Sequence, residues 1–243
     1  MSTKHNYHKE ILALIKQHAS KATQHTFLDS YLGNSHPRYP ISAPVLRKIA
    51  RTWMKEHNSL SLKDFTQTIN DLILGPSATE KWMAGILLDY ATPEQRQFSS
   101  KLFDGWLEHV EGWAEIDALC SSKYSGFEII NQWAKWKPLL LKFSKSKNIN
   151  KRRASLVFFC GPLRRISNMT MAHTALTVID RLKGEHEILI TKAISWLLRT
   201  MVKHHRDIVE DYLRENRDTL PRIAYRETMV KLATGRKTKK KRL

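Results

Sequence analysis

A chain of 243 residues with 42% hydrophobic content is long enough for one or two domains with a sizeable core, which excludes an intrinsically disordered protein. Its 41 Lys and Arg against 23 Asp and Glu give a formal net charge of +18, and removing the six basic groups of the last eight residues still leaves +12, so the body itself selects a polyanionic partner, with nucleic acid ahead of an anionic membrane surface. Cys120 and Cys160 are too few for a disulfide framework and no Cys/His cluster has metal-ligand spacing. With no apolar leader and no run of about 18 apolar residues, the expectation is a soluble, intracellular protein in a reducing compartment: cytoplasm or nucleoid in a bacterium, nucleus in a eukaryote.

Taken in chain order, apolar residues recur at helical spacing, first at Ile11, Leu14 and Ile15, later at Ile86, Leu87 and Tyr90, while strict alternation is almost absent. The pattern predicts helices over about 5–21, 43–57 and 61–74. After the Gly75-Pro76 break, Ser77 with Glu80 forms a capping box, and Thr92-Pro93-Glu94-Gln95 offers an N-cap, a proline at the first helical position and a back-bonding amide, so helices are expected to begin near residues 78 and 93. Further helices are predicted over about 113–122, 126–134, 136–145, 150–160, 167–181, 186–204, 207–216 and 219–233. The links are short, which favours antiparallel neighbours stacked in order.

A faint repeat runs through these helices. Lys81-Trp82-Met83-Ala84-Gly85-Ile86-Leu87 resembles Lys151-Arg152-Arg153-Ala154-Ser155-Leu156-Val157 and Ile190-Thr191-Lys192-Ala193-Ile194-Ser195-Trp196, and placing Asp117 in the same register gives intervals of 33, 37 and 39 residues. Such periods fit an all-α fold of HEAT-like helical-hairpin repeats, stacked into a curved solenoid with a basic concave groove; a non-repeating helical bundle is the competing architecture. One domain is expected over 1–235, followed by a disordered basic tail over 236–243.

Trp113 stands four residues before Asp117, and Trp196 three before Arg199, so on helices each pair shares a face one turn apart. Tryptophans at this spacing are more often core than functional, and surface charges are usually just solvated. The combination says more. In the repeat register Trp113, Asp117, Arg153, Trp196 and Arg199 fall on equivalent inner helices of successive repeats, an aromatic-walled basic groove with one acid in it. On the segments Gly112-Trp113-Ala114-Glu115-Ile116-Asp117, Lys151-Arg152-Arg153 and Ala193-Ile194-Ser195-Trp196-Leu197-Leu198-Arg199, the sequence resembles the AlkD-type DNA alkylation repair glycosylases, a family of HEAT-like repeat proteins. The likeness runs from the Tyr31-Leu32-Gly33 and Pro44-Val45-Leu46-Arg47 region to Arg226-Glu227, and His36-Pro37-Arg38-Tyr39-Pro40 departs from the family pattern.

The resemblance implies a monofunctional hydrolase that cleaves the N-glycosidic bond of cationic alkylpurines such as 3-methyladenine and 7-methylguanine. It makes Asp117 the catalytic aspartate, Trp113 and Trp196 the active-site tryptophans, Arg153 and Arg199 DNA-backbone contacts, and Tyr31 a further cleft residue. The implied partner is duplex DNA containing alkylated bases, met by a monomer without metal or cofactor, and held by its backbone rather than through an enclosing base pocket. The chemistry is coherent: alkylation at a ring nitrogen already makes the base a good leaving group, and an ionised acid opposes the oxocarbenium charge that develops on the sugar. The competing function is a non-catalytic HEAT-like scaffold that binds a protein or nucleic-acid partner on its concave face; a pure DNA binder, however, gains nothing from an anion beside phosphates.

Other conspicuous residues read more plainly. Glu115 lies about 200° around the helix from Trp113 and should face away. Trp53, Trp82, Trp106, Trp133 and Trp136 read as packing residues, and His204-His205 as a helix C-terminal cap. Arg164, Arg165 and Arg222 meet either phosphates or water. The tail at 236–242 reads as a non-specific DNA tether or a nuclear signal.

Overall fold

The protein's structure, a computed structural model, describes residues 6–20 and 35–237, and these contain thirteen α-helices and no strand. The architecture is all-α, as the periodicity predicts. Backbone packing divides the chain into two compact units, Met1–Tyr124 and Ser125–Leu243.

The first unit contains α1 (Tyr7–Gln17), α2 (Ala43–Glu56), α3 (Leu62–Leu74), α4 (Ala78–Tyr90), α5 (Leu102–Trp106) and α6 (Gly112–Cys120). Along α2 the buried positions Leu46, Ile49, Ala50, Trp53 and Met54 follow the i, i+3, i+4, i+7, i+8 spacing of a one-sided helix. In α4, by contrast, every position from Ala78 to Leu88 except Trp82 is buried, because α2, α3 and α6 all pack against it. Full burial of a side chain such as Met83 or Leu87 stabilises the unit by about 1.5–3 kcal/mol. The start of α4 is set as expected: Ser77 Oγ accepts from the Glu80 N–H while Glu80 Oε2 accepts from the Ser77 N–H at 3.0 Å.

Close packing within this unit depends on Gly85. A Cβ at that position would lie 2.4 Å from the Ala118 carbonyl oxygen, so the backbones of α4 and α6 meet where Gly85 supplies no side chain.

The helix expected from residue 93 does not form. Its capping contacts do exist, with Thr92 N–H donating to Gln95 Oε1 at 3.0 Å and Gln95 N–H to Thr92 Oγ1 at 3.3 Å. The Gln95 amide also donates to the carbonyls of His57 and Leu60, tying the turn back to the end of α2, and the chain leaves after one turn. Phe98 then enters an aromatic cluster with Phe103, Trp106 and Tyr124, at centroid distances of 5.4 Å to Trp106 and 4.8 Å to Tyr124. A local start signal has been outweighed by burial of a large ring.

The second unit holds α7 (Lys123–Asn131, starting at the boundary), α8 (Trp133–Phe143), α9 (Ile149–Arg165), α10 (Met169–Leu182), α11 (Ile188–Met201), α12 (Arg206–Glu215) and α13 (Arg222–Thr234). Helix α9 is its centre: Arg153 through Leu163 are all buried. It packs on α8, α10 and most extensively on α11, which in turn packs on α13. Both units therefore share one pattern, in which every second helix forms an inner row (α2, α4, α6; α9, α11, α13) with the intervening helices outside. Stacked helical hairpins produce this layering; of the four residues aligned by the repeat register, Ala84, Ala154 and Ala193 are essentially fully buried and Asp117 is half-buried.

The His204 and His205 N–H groups close the end of α11 by donating to the Met201 carbonyl at 3.1 and 2.8 Å, while their rings reach other elements. The His204 ring meets the Arg164 carbonyl at the end of α9 at 3.1 Å, and His205 is buried at the start of α12, where its Nε2 accepts from the Asn168 N–H at 3.3 Å. Of the five tryptophans assigned to packing, Trp53, Trp106 and Trp136 are buried and Trp82 and Trp133 half-buried. Cys120 and Cys160 are free and buried. Among the described residues no helix is long and apolar enough to cross a membrane.

Candidate active site

Helix α6 begins on a forced turn. Glu111 is extended at φ −134° and Gly112 takes φ 65°, a left-handed conformation that a side chain disfavours, so the chain swings sharply into the helix just before Trp113. Trp113 and Asp117 follow one turn apart, both half-buried, on the same face. Asp117 stands in the last turn, where its own carbonyl accepts from the Ser121 N–H at 2.9 Å and the Ser121 hydroxyl at 2.6 Å. The unpaired carbonyls of a helix C-terminus carry negative partial charge, so carboxylate and helix end create negative potential together.

Glu115 points the other way, as its spacing requires, but it is no solvated rim charge. It is 0% exposed, with Oε2 accepting from the Glu111 N–H at 2.8 Å and Oε1 accepting from His36 Nδ1 at 2.9 Å. Burial pushes its carboxyl above the ordinary value, and the Glu111 N–H, His36 and the nearby Lys81 offset this only in part. Lys81 is itself buried, donating to the Ile73 carbonyl at 2.9 Å and to that of Gly75, and burial lowers its pKa against the pull of Glu115, Glu80 and Glu111. At Glu80, burial pushes the carboxyl up, but hydrogen bonds from His8 at 2.7 Å and from Ser77 outweigh it, and the net displacement is downward.

In the second unit, Arg153 and Arg199 occupy the α9–α11–α13 row. Arg199 Nε donates to Ser195 Oγ at 3.2 Å and stands 3.4 Å from Glu227 on α13, whose Oε2 accepts from the Ser195 hydroxyl at 2.6 Å. Burial lowers the Arg199 pKa, and Glu227 opposes the shift. Arg199 is thus a held guanidinium, with its neighbour Trp196 half-buried on the same helix. Arg153 is only 3% exposed and Nη1 donates to the Leu189 carbonyl at the start of α11. It is an interior guanidinium joining two inner-row helices, placed deeper than a simple surface contact to phosphate. Tyr31 lies outside the described residues. Arg164, Arg165 and Arg222 are exposed, and Arg165 sits 5.0 Å over the Phe127 ring. Among the described residues no group of three His, Cys, Asp or Glu is placed to hold a metal ion.

A family model described as DNA alkylation repair enzyme matches residues 11–232, nearly the whole chain and both helical rows. The chain belongs to the DNA alkylation repair enzyme family. A solved structure described as a predicted DNA alkylation repair enzyme from Enterococcus faecalis superposes with a TM-score of 0.73 at 20% identity, covering 89% of this chain and 98% of that one, so the fold is shared as well. No curated protein matches the chain significantly. For a DNA alkylation repair enzyme, the excess of basic residues suits the substrate polymer.

Sequence reasoning missed the residues that hold these groups. Ser195 lies one turn before Arg199 and was readable at that spacing; Glu227 comes from the next inner helix and carries no local signal. His36 was noted only as part of an anomalous proline-rich segment, and Gly85 only as a letter in the repeat.

Proposed function

We propose that this DNA alkylation repair enzyme is a glycosylase that hydrolyses the N-glycosidic bond of cationic alkylpurines, such as 3-methyladenine and 7-methylguanine, in duplex DNA. The observation that carries the reading is Asp117, half-exposed on the Trp113 face and seated at the negative end of α6. As the bond breaks, positive charge passes from the base to the sugar, and a carboxylate about 4 Å away at an effective dielectric near 20 is worth roughly 4 kcal/mol, up to about a thousandfold in rate if felt only in the transition state. The same carboxylate can orient the attacking water. In this mechanism the ring faces of Trp113 and Trp196, whose quadrupole attracts positive charge, favour a cationic base or an electron-poor sugar by about 0.5–2 kcal/mol. In this reading Arg199, held by Ser195 and Glu227, contacts backbone phosphate, and Arg153 supports the phosphate contact from beneath.

The test is single-turnover base release from duplexes carrying one 7-methylguanine, one hypoxanthine or one uracil. Wild-type protein should release the methylated base alone, because the neutral bases lack an activated leaving group. Asp117→Asn should slow that release about a thousandfold without weakening DNA binding. Efficient release of uracil or hypoxanthine, or an Asp117→Asn chain at the wild-type rate, would refute the mechanism.

A further inference from the structure

We propose that His36 and Glu115 are a positioning pair, through which the segment 35–39 holds the first turn of α6 and thereby sets Trp113 and Asp117. The inference rests on the glycosylase reading for its chemical consequence, but its structural half stands on geometry alone. A fully buried carboxylate is costly unless its oxygens are taken. Both Glu115 oxygens lie within reach of His36 Nδ1, at 2.9 and 3.1 Å, and Oε2 also receives the Glu111 N–H. Glu111 is the N-cap residue of α6, so Glu115 reaches back from the first turn to fix the helix's entry.

The segment grips that entry a second time. The Ser35 N–H and hydroxyl both donate to Glu111 Oε2, at 3.0 and 2.9 Å. Further along, it is anchored on α4, where the Ala78 N–H donates to the Pro37 carbonyl at 2.9 Å and the Tyr39 N–H to Thr79 Oγ1 at 3.0 Å. The helix that carries Trp113 and Asp117 is therefore fastened at its start to a segment that is itself fastened to the central helix. Pro37 stiffens the segment by fixing φ between the His36 and Tyr39 anchors, which limits how far displacement at one is absorbed before the other. To donate to the carboxylate, a neutral His36 carries its proton on Nδ1.

A merely structural pair and a positioning pair predict different results. Asn places an N–H donor where Nδ1 stands, whereas Ala removes it. His36→Ala and Glu115→Gln should slow single-turnover release of 7-methylguanine by ten- to a hundredfold with DNA affinity within twofold of wild type, and His36→Asn should recover most of the loss. In an Asp117→Asn background the same substitutions should cost a smaller fold-loss than in the wild type, because the part of the effect that acts through Asp117 is already gone. Amide hydrogen exchange of residues 112–117 should accelerate in His36→Ala and return toward wild type in His36→Asn. Equal fold losses with and without Asp117, or a lowered melting temperature with wild-type chemistry well below it, would overturn the positioning role. If the wild-type chain releases no alkylated base at all, the glycosylase reading fails, and exchange of α6 decides by itself whether the segment holds the helix; unchanged exchange in His36→Ala overturns that too.

Discussion

Replacing Gly85 with alanine tests how tightly the position of Asp117 depends on packing behind it. The new Cβ would lie 2.4 Å from the Ala118 oxygen, 2.5 Å from its carbonyl carbon and 2.9 Å from the Leu119 nitrogen, all backbone atoms that no side-chain rotation can clear. Ordinary contact begins near 3.4 Å, so α4 and α6 must separate by about 1 Å at this crossing. Helix α4 is enclosed by α2 and α3 and pinned by the Ser77–Glu80 box, which leaves the nine-residue α6 to move. Overpacking of this kind costs about 1–3 kcal/mol. A displacement of about 1 Å at a catalytic group can cost about a hundredfold in rate. Gly85→Ala should therefore fold, unfold at lower urea concentration, and release 7-methylguanine about a hundredfold more slowly while binding DNA normally. Gly105 on α5 is the control, because a Cβ there meets nothing within 4 Å, and Gly105→Ala should match or exceed wild-type stability at the wild-type rate. A Gly85→Ala protein with unaltered stability and rate would show that α6 is not pressed against α4 and would remove the argument for a fixed Asp117.

Two other outcomes follow from the second unit. Arg199→Ala should weaken binding to all duplex sequences alike and flatten the plot of log affinity against log salt by about one unit, and an unchanged slope would remove Arg199 from the phosphate contacts. Burial, with His204 and His173 nearby, pushes His205 below its ordinary value of 6.5, so the unfolded chain takes up its proton first as pH falls. That stability is complete above pH 6.5 and is lost as pH drops through the folded value; His205→Gln, which keeps an acceptor for the Asn168 N–H, should flatten the fall in urea midpoint below pH 6.5, and an unflattened curve would place the titration elsewhere.

The fold was legible where one helix face meets one core. The α2 stripe and the Ser77–Glu80 box are local patterns, and the structure realises both. The failure at residue 93 is instructive because its capping contacts form without a helix behind them: Phe98 joins a ring cluster with Phe103, Trp106 and Tyr124, and Tyr124, 26 positions on, lies outside any local window. The same limit applies at the candidate site. Trp113–Asp117 and Trp196–Arg199 are spacings within single helices and can be read directly, whereas the Glu227 support of Arg199 and the His36 support of Glu115 join residues 28 and 79 positions apart.

Glu115 and Asp117 show why spacing alone does not assign a carboxylate. Both are acids on one nine-residue helix, two positions apart, and a chemist shown only the pKa directions would choose Glu115, since burial raises its pKa as is common at active sites. Geometry reverses the choice. Glu115 is wholly buried with both oxygens engaged, so a nucleotide has no approach to it, while Asp117 shares its half-exposed face with an aromatic ring. A glycosylase acting on a lesion that is already cationic needs no proton donor, and therefore no carboxyl with a raised pKa. It needs an accessible anion that stays charged, set rigidly in place. On this reading the two acids of α6 divide the work, with the inner one fixing the helix and the outer one facing the sugar.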